Sequence, residues 1–184
     1  VAEQDNVIVT QGALNPIENE QRHMPNRILI ALGGSSKRHI WNADKVLSAI
    51  EQIVLQNMQC EIILTSSRRT PDDFLATLAQ QSFASQVQIF PVEETPQGWI
   101  FEEMQKAEAV WVTEDSVSMI YEALTAGCKV GLIQIDRVKE DRITRSVEHL
   151  VDQKLVSNAR QIAELYSTTA FKEAERVATY LLAH

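Results

Sequence analysis

Three short polar stretches hold the side chains that could do chemistry, and each follows an apolar, β-branched segment. They are residues 33–38 (GGSSKR), 65–69 (TSSRR) and 113–118 (TEDSVS). Backbone amides near glycine, serine hydroxyls and arginine guanidinium groups are the groups that proteins use to bind phosphate oxygens. Their recurrence after apolar segments predicts one anion-binding site built from several loops.

In the first stretch, Gly33 and Gly34 allow the backbone to approach a ligand closely. The side chains that follow add hydrogen-bond donors and positive charge: Ser35, Ser36, Lys37 and Arg38. The pattern is neither GxGxxG nor a Walker A loop, so a glycine pair that merely turns a strand into a helix is an equally good interpretation. His39 and Trp41 are interpreted as surface and packing residues.

The second stretch places Ser66, Arg68 and Arg69 at the predicted carboxyl end of a strand, the edge where open α/β sheets bind ligands. The planar guanidinium fork of arginine matches the geometry of a phosphate group. Pro71 opens the next predicted helix, and Thr70 is its predicted N-cap. Pairing of the two arginines with surface carboxylates is the alternative interpretation.

The third stretch leads into another predicted helix, which Asp115 or Ser116 can cap. The following amides, with Ser118, would then point outward, and the helix dipole favours an anion there. This hypothesis requires the N–H groups of Gly34 and Ser116 to converge on one negatively charged ligand. A capped helix start without any ligand is the alternative.

Glu122 lies one turn further into the same helix, whose buried face is predicted to contain Ile120, Ala123 and Leu124. Side chains in a helix lean toward its N-terminus, so the carboxylate of Glu122 would reach back toward the predicted phosphate site. Carboxylates are common acceptors for paired ribose hydroxyls, and Glu122 is therefore the candidate ribose ligand. A solvated surface glutamate is the alternative.

Short apolar runs alternate with amphipathic stretches, and this alternation predicts the fold. The runs lie at residues 7–9, 28–32, 61–65, 87–90, 109–112 and 130–135. Uninterrupted apolar runs are typical of parallel strands covered on both faces, and the segments between them have helical periodicity. The pattern predicts an α/β, Rossmann-like, doubly wound parallel sheet in three α/β/α layers with right-handed crossovers.

The polar stretch at residues 11–26 carries two prolines and indicates a linker. We therefore divide the chain into residues 1–26, an N-terminal strand and linker that could belong to a preceding domain, and residues 27–184, the Rossmann-like domain. Two late helices are predicted after the last strand, around residues 162–166 and 171–182.

The composition excludes several classes of protein. A net charge of -8 argues against a broad nucleic-acid surface, and no apolar run approaches the roughly 20 residues of a membrane span. Cys60 and Cys128 show no CxxC spacing, which favours a reducing, cytoplasmic compartment and leaves peripheral membrane association open. No cluster has metal-ligand spacing, so no metal or cofactor is expected.

Together, the stretches ALGGSSKRHIWN, LTSSRRTP and WVTEDSVSMIYEALTAGCKV resemble the mitochondrial-fission ELM-type family, whose bacterial members were once described as predicted nucleoside-diphosphate-sugar epimerases. The layout is also similar to the nucleotide-sugar-binding half of glycosyltransferases with the two-domain B-type fold. This resemblance implies that residues 33–36 and 116–118 meet a diphosphate, that Glu122 meets a ribose and that residues 90–99 lie beside the base. It also implies an amino-terminal domain that would hold the acceptor.

The leading hypothesis is the donor-binding half of a metal-independent, glycosyltransferase-like protein whose ligand is a nucleoside diphosphate sugar. Amides together with Arg68 or Arg69 would stabilise the departing diphosphate. No general base can be named from this sequence. A non-catalytic interaction module is the second hypothesis, and a nucleoside-diphosphate-sugar epimerase is the third, with His39 as its single candidate residue.

Overall fold

A parallel sheet organises the protein, as a computed structural model that describes residues 19–167 shows. Its six strands are β1 (Met24–Ala31), β3 (Glu61–Thr65), β4 (Val87–Phe90), β5 (Ala107–Thr113), β6 (Lys129–Ile133) and β8 (Val156–Ser157). Their spatial order is β4-β3-β1-β5-β6-β8, and every pairing is parallel. Counting only these six, the order is 3-2-1-4-5-6, which is the Rossmann arrangement.

Helices follow most of the strands and cover both faces of the sheet. They are α1 (Ala43–Gln56), α2 (Phe74–Ala79), α3 (Trp99–Lys106), α4 (Val117–Ala126) and α5 (Arg142–Asp152). A small antiparallel ribbon of β2 (His39–Ile40) and β7 (Asp136–Arg137) joins the loop after β1 to the loop after β6. Short 3-10 turns occupy Ala84–Gln86, Val92–Glu94 and Ile162–Glu164.

Two apolar clusters, one on each face of the sheet, form the core. Alternate residues of β1 belong to different clusters: Ile28 and Ile30 lie in one, and Leu29 lies in the other. The first cluster packs against α1 and α2, and the second packs against α3, α4 and α5. Because both faces are buried, the central strands are apolar throughout, as the sequence pattern predicted.

The predicted Rossmann-like α/β class is confirmed, and the differences are local. Strands β2, β7 and β8 have only two residues each, too short to give an apolar signal. Strand β1 begins at Met24, within the last residues of the predicted linker. The predicted helix at residues 162–166 is a 3-10 turn at Ile162–Glu164. The predicted strand at residues 7–9 and helix at residues 171–182 lie outside the described residues.

Thr70 is not a helix cap, contrary to the prediction. Helix α2 begins at Phe74 after Asp73, whose side chain makes no capping bond. The hydroxyl of Thr70 instead donates to the carbonyl oxygen of Gly33 at 2.5 Å and accepts from the amide of Ser67 at 3.0 Å. The Thr70 hydroxyl, which the sequence predicted to cap a helix, is instead used in a contact between two loops.

The strand order fixes where a cleft can form. From β1 the chain moves to β3 on one side, and later from β4 to β5 on the other side, so the sheet order reverses between β1 and β5. At such a reversal, the loops after the two strands diverge and leave a crevice at the carboxyl edge of the sheet. All three polar stretches found in the sequence lie at this edge.

Substitution of Ile30 by alanine should lower the free energy of unfolding by about 2–5 kcal/mol, because its fully buried side chain would leave a cavity between β1 and α1. Leu55→Ala is the matched control on α1, where the side chain is 57% exposed, and should change stability by no more than about 0.5 kcal/mol. Urea denaturation measures both. Equal losses would contradict the assignment of the core.

Candidate functional site

The loops after β1 and β5 meet directly at the carboxyl edge. The amide of Gly33 donates to the hydroxyl of Thr113 at 2.7 Å, and the amide of Gly34 donates to Asp115 Oδ2 at 3.0 Å. Gly34 and Asp115 are 81 positions apart in sequence. The structure therefore brings together the two turns from which a common anion site was predicted.

The negative charge between these turns is the carboxylate of Asp115 itself. Its side chain has no exposed surface, and Oδ2 lies 2.8 Å from Arg69 Nη2 and 3.3 Å from the hydroxyl of Ser116. The amide of Ser116 is also satisfied within the chain, because it donates to the carbonyl of Thr113 at 3.0 Å. The amides of Gly34 and Ser116 are thus not free to bind an external anion in this conformation.

Close packing explains why two glycines stand in the first loop. A Cβ at Gly33 would lie 2.1 Å from Asp115 Oδ2, and a Cβ at Gly34 would lie 2.0 Å from the carbonyl oxygen of Arg69. Arg69 also donates from Nη1 to the carbonyl of Ser35 at 3.1 Å. The glycine pair therefore allows the loops after β1, β3 and β5 to pack closely against one another.

Free amide groups are found one residue further along, at the start of α4. Ser116 is the N-cap residue, but its side chain makes no capping bond, and the first bond into the helix is from Ile120 to the carbonyl of Ser116. Among residues 19–167, the amides of Val117, Ser118 and Met119 consequently have no acceptor. An uncapped helix N-terminus with three free donors can bind an anion.

A cavity of about 500 Å³ opens over this helix start. Its lining includes Ser118, which is exposed, and two arginines, Arg38 and Arg69. Arg38 pairs with Asp141 at 2.5 Å through Nε, and Arg69 pairs with Asp115. The cavity thus combines helix amides, a hydroxyl and guanidinium groups, which are donors suited to an anion.

A larger cavity of about 1040 Å³ adjoins the first, because Ser67 and Met119 line both. Polar groups at its floor come from the loop after β3 and include Ser66 and Arg68. Arg68 is exposed and has no ion pair within the described part of the chain. The opposite wall comes from residues 92–100 and is partly apolar. The two cavities are thus neighbours along the carboxyl edge, and together they are called the groove.

An aromatic pair stands at the wall of the larger cavity. The rings of Phe90 and Trp99 have centroids 5.2 Å apart and are tilted by 40°. Trp99 lines the cavity, whereas Phe90, which is 36% exposed, packs behind it at the end of β4. A half-exposed indole held by a second ring offers a flat surface on which a planar ligand group could stack.

Glu122 is half-buried on α4 and has no hydrogen-bond partner among residues 19–167. Burial raises the pKa of its carboxyl above the ordinary glutamate value. The side chain lies three residues after Met119 and four after Ser118, so it shares a helix face with two residues that line the groove, but Glu122 itself lines neither cavity. An unpartnered, partly desolvated carboxylate is an acceptor available to ligand hydroxyls.

Sequence reasoning missed a buried cluster behind the first loop. His39 was interpreted as a packing or surface residue, and its side chain is in fact only 3% exposed. Its Nδ1 lies 3.0 Å from the hydroxyl of Ser36, and its Nε2 lies 3.5 Å from Glu114 Oε2. Glu114, in turn, is paired with Arg137 at 3.0 Å. The only signal in the sequence was that His39 directly follows one polar stretch and Glu114 lies within another.

Neither cavity is lined by the predicted residues Ser35, Ser36 and Lys37. Ser35 is exposed, and its hydroxyl accepts from the amide of Trp41 at 3.1 Å. Lys37 is exposed, and its side chain makes no ion pair within residues 19–167. The described residues contain no group of three or more metal-ligating side chains.

Fold and site define a Rossmann-like α/β protein with a groove at the carboxyl edge of its sheet. The family model for mitochondrial fission ELM1 matches residues 1–184, so the chain belongs to that family, as the sequence resemblance predicted. No curated protein matches the sequence.

Solved structures similar to this chain include the following two. One is AnUbiX (PadA1) in complex with FMN and dimethylallyl pyrophosphate, with 13% identity, a TM-score of 0.45, and coverage of 70% of this chain and 74% of that chain. The other is the cypemycin decarboxylase CypD, with 14% identity, a TM-score of 0.42, and coverage of 89% and 98%. Similarity at this level bears on neither ligand nor activity. No helix within residues 19–167 has the length and apolar character needed to cross a membrane.

Alanine at Gly34 should destabilise the fold by about 1–3 kcal/mol, because its methyl group would overlap the backbone carbonyl of Arg69, which cannot move without shifting the loop after β3. Lys37→Ala, in the same loop but exposed, is the control and should change stability by less than about 0.5 kcal/mol. Thermal or urea unfolding measures the difference. A fully stable Gly34→Ala variant would show that these loops are not packed as described.

The raised pKa of Glu122 predicts a pH dependence of stability. Burial disfavours the charged carboxylate, so the native state binds more protons than the unfolded state as the pH rises from about 4 toward neutrality. Ionisation of Glu122 should therefore lower stability over this window, and Glu122→Gln should remove that loss. Unfolding experiments at several pH values should show the free energy of unfolding of the variant increasing relative to that of the parent as the pH rises. A constant difference between them would mean that Glu122 is solvated.

Proposed function

We propose that the groove binds a nucleoside diphosphate sugar, and that the chain is the donor-binding half of a metal-independent, glycosyltransferase-like protein. The observation that carries the proposal is the uncapped start of α4, with free amides at Val117, Ser118 and Met119 opening into an arginine-lined cavity. Few other ligand groups suit three convergent amides and guanidinium groups as well as a diphosphate does.

In this proposal, the diphosphate lies where the two cavities join, near Ser67 and Met119. Arg68 enters from the larger cavity and Arg69 from the smaller one, so charge is available on both sides of the phosphates. Departure of the diphosphate from the sugar concentrates negative charge on its oxygens, and fixed donors stabilise that charge. The proposed catalytic contribution of this chain is therefore electrostatic, and the acceptor and any base come from outside it.

Glu122 is proposed to accept hydrogen bonds from the ribose hydroxyls. Its helix face, its partial burial and its lack of a partner within residues 19–167 support this role. The nucleobase would lie in the larger cavity against Trp99 and the apolar part of its wall. This arrangement accounts for the size of the cavity, which falls at the upper end of the range typical of small-molecule sites.

A second candidate function, a non-catalytic interaction module, is supported by a different observation. Asp115 already occupies the Gly34 amide and the Arg69 guanidinium, so part of the predicted anion site is satisfied by the chain itself. A protein of this fold that no longer binds a ligand would be stabilised by a carboxylate of its own chain in the place of the ligand's negative charge. An epimerase, the third hypothesis, requires acid-base side chains around the sugar, and His39 is too deeply buried to contact one.

Thermal stabilisation distinguishes the first two candidates. UDP, GDP, ADP and their sugars should be tested one at a time, since a ligand at 100 times its dissociation constant stabilises the folded state by about 2.7 kcal/mol. A rise in melting temperature with one nucleotide class supports the proposed function. A flat melting temperature with all of them supports the interaction module.

Two variants test the assignment of subsites. Glu122→Gln should weaken binding of nucleosides and nucleoside diphosphates by the same factor, about tenfold for the loss of one charged hydrogen bond. Arg68→Ala should weaken diphosphates by a similar factor and leave nucleosides unchanged. Glu94→Gln, at a solvent-exposed glutamate outside helix α4, is the matched control. Binding by titration calorimetry that is the same for the parent and both variants would remove these residues from the site.

A further inference from the structure

The antiparallel ribbon of β2 and β7 has one buried and one exposed face. Its buried face carries the cross-strand pair His39 and Arg137, both of which lie against Glu114. Because successive residues of a strand point to opposite faces, the residues next to this pair point outward. Ile40 and Val138 accordingly lie on the outer face, where they are 55% and 54% exposed.

Ile40 and Val138 are neighbours on that outer face. Ile40 lies opposite Asp136 in the register of the ribbon, so Val138, two residues further along, is its diagonal neighbour. The pairing extends as far as Val138, whose amide donates to the carbonyl oxygen of Arg38 at 2.8 Å. Single exposed aliphatic side chains are common on protein surfaces, whereas these two adjoin and form one apolar patch.

Basic side chains adjoin the patch on both strands. Lys37 lies three residues before Ile40, is exposed and makes no ion pair within residues 19–167. Lys139 directly follows Val138, and 58% of its side chain is exposed. Its ammonium group is 4.0 Å from Asp141, at the limit of an ion pair. Both ammonium groups can therefore reach an anionic surface that meets the patch.

The start of α5 adds two more cations beside the ribbon. Asp141, the N-cap residue of α5, pairs at 2.5 Å with Arg38, which directly precedes β2, so the helix start is held next to the ribbon. Arg142 and Arg145 lie three residues apart near this start and therefore on one side of the helix. Both are exposed, and neither has a carboxylate partner in the described part of the chain.

The charge of this region is opposite to that of the whole protein. Residues 37–40 and 136–145 contain six basic and three acidic side chains, a net charge of +3, whereas the chain carries -8. Of the three carboxylates, Asp136 and Asp141 are paired within the protein, and Glu140 is exposed. The region is therefore locally positive on an acidic protein.

We propose that this basic-apolar surface, formed by the outer face of the ribbon and the start of α5, binds a bilayer that contains anionic phospholipid. Ile40 and Val138 enter the headgroup region, and the basic side chains around them contact lipid phosphates. The association is peripheral. It is independent of the nucleotide-sugar site proposed above.

Charge and shape favour a bilayer over other occupants. A second copy of the chain related by a two-fold axis would bring Lys37 and Lys139 against like charges. A bilayer requires no shaped pocket, so binding depends only on the apolar area buried and on the attraction of anionic lipids. The acidic remainder of the protein does not prevent binding, because charges more than about 10 Å from the lipid are screened at about 0.1 M salt.

The test is cosedimentation of the full chain with vesicles of phosphatidylcholine alone, or of phosphatidylcholine with about one third phosphatidylglycerol. Each cation near an anionic surface contributes about fivefold in affinity, so the parent should partition at least about tenfold more strongly onto the anionic vesicles. Raising the salt concentration from about 0.05 M to about 0.5 M should remove most of this difference, because the attraction is screened.

Substitutions on the patch test the apolar contribution. The double variant Ile40→Ser, Val138→Ser should partition onto anionic vesicles about tenfold more weakly than the parent, because its side chains gain little from leaving water. Leu55→Ser is the matched control on α1, where the side chain is 57% exposed, and should bind like the parent. Circular dichroism should establish that each variant is folded.

Substitutions of the lysines test the charge contribution. Lys37→Gln and Lys139→Gln should each weaken partition onto anionic vesicles by about fivefold and leave partition onto neutral vesicles unchanged. Lys154→Gln, at an exposed lysine beyond the other end of α5, is the matched control and should bind like the parent.

The outcomes decide the proposal without reference to nucleotides. Losses confined to the ribbon variants support it. Equal partition of the parent and the Ile40→Ser, Val138→Ser variant overturns it, as does equal partition of the parent onto neutral and anionic vesicles. Absence of binding to either kind of vesicle also overturns it and favours an acidic protein as the occupant of this surface. Thermal stabilisation by nucleotides is measured without lipid, so the two proposals can fail separately.

Discussion

The buried carboxylate of Asp115 is the interaction on which the arrangement of the site depends. One oxygen of this side chain is bound by the Gly34 amide, the Arg69 guanidinium and the Ser116 hydroxyl, which come from the loops after three different strands. A fully buried charge is tolerated only when donors of this kind surround it. The loops are thus held together around one internal anion. A Cβ at Gly33 would overlap Asp115, and a Cβ at Gly34 would overlap the backbone carbonyl of Arg69.

This constraint shapes what is left for a ligand. The Gly34 and Ser116 amides are used internally, and the donors that remain free are those of the first turn of α4, which has no side-chain cap. The other oxygen of Asp115 is buried without a partner, so the junction is not fully satisfied. Asp115 thus supports the loops, while its second oxygen and the first three amides of α4 have no partner within residues 19–167.

The buried cluster behind the first loop is likewise organised around a carboxylate, that of Glu114. Glu114 and Asp115 are neighbours in sequence, yet their side chains serve separate loops: Asp115 binds Gly34, and Glu114 faces His39 and pairs with Arg137. Two adjacent carboxylates therefore fix both ends of the segment at residues 33–39. Its conformation therefore depends on contacts with residues about 75–80 positions away in sequence.

The sequence by itself determined the main strands and helices of the Rossmann-like fold and the edge of the sheet at which the three polar stretches lie. Uninterrupted β-branched runs separated by amphipathic helices require a parallel sheet covered on both faces, and polar residues after strands must then gather at its carboxyl edge. Only the tertiary structure decided which donors are free. Whether Asp115 faces inward, whether Thr70 caps a helix or binds Gly33, and whether His39 is buried against Glu114 all depend on contacts between loops distant in sequence. The periodicity of apolar residues reflects the environment of a single segment. The hydrogen-bond partners of a polar group depend on which segments meet in the folded chain.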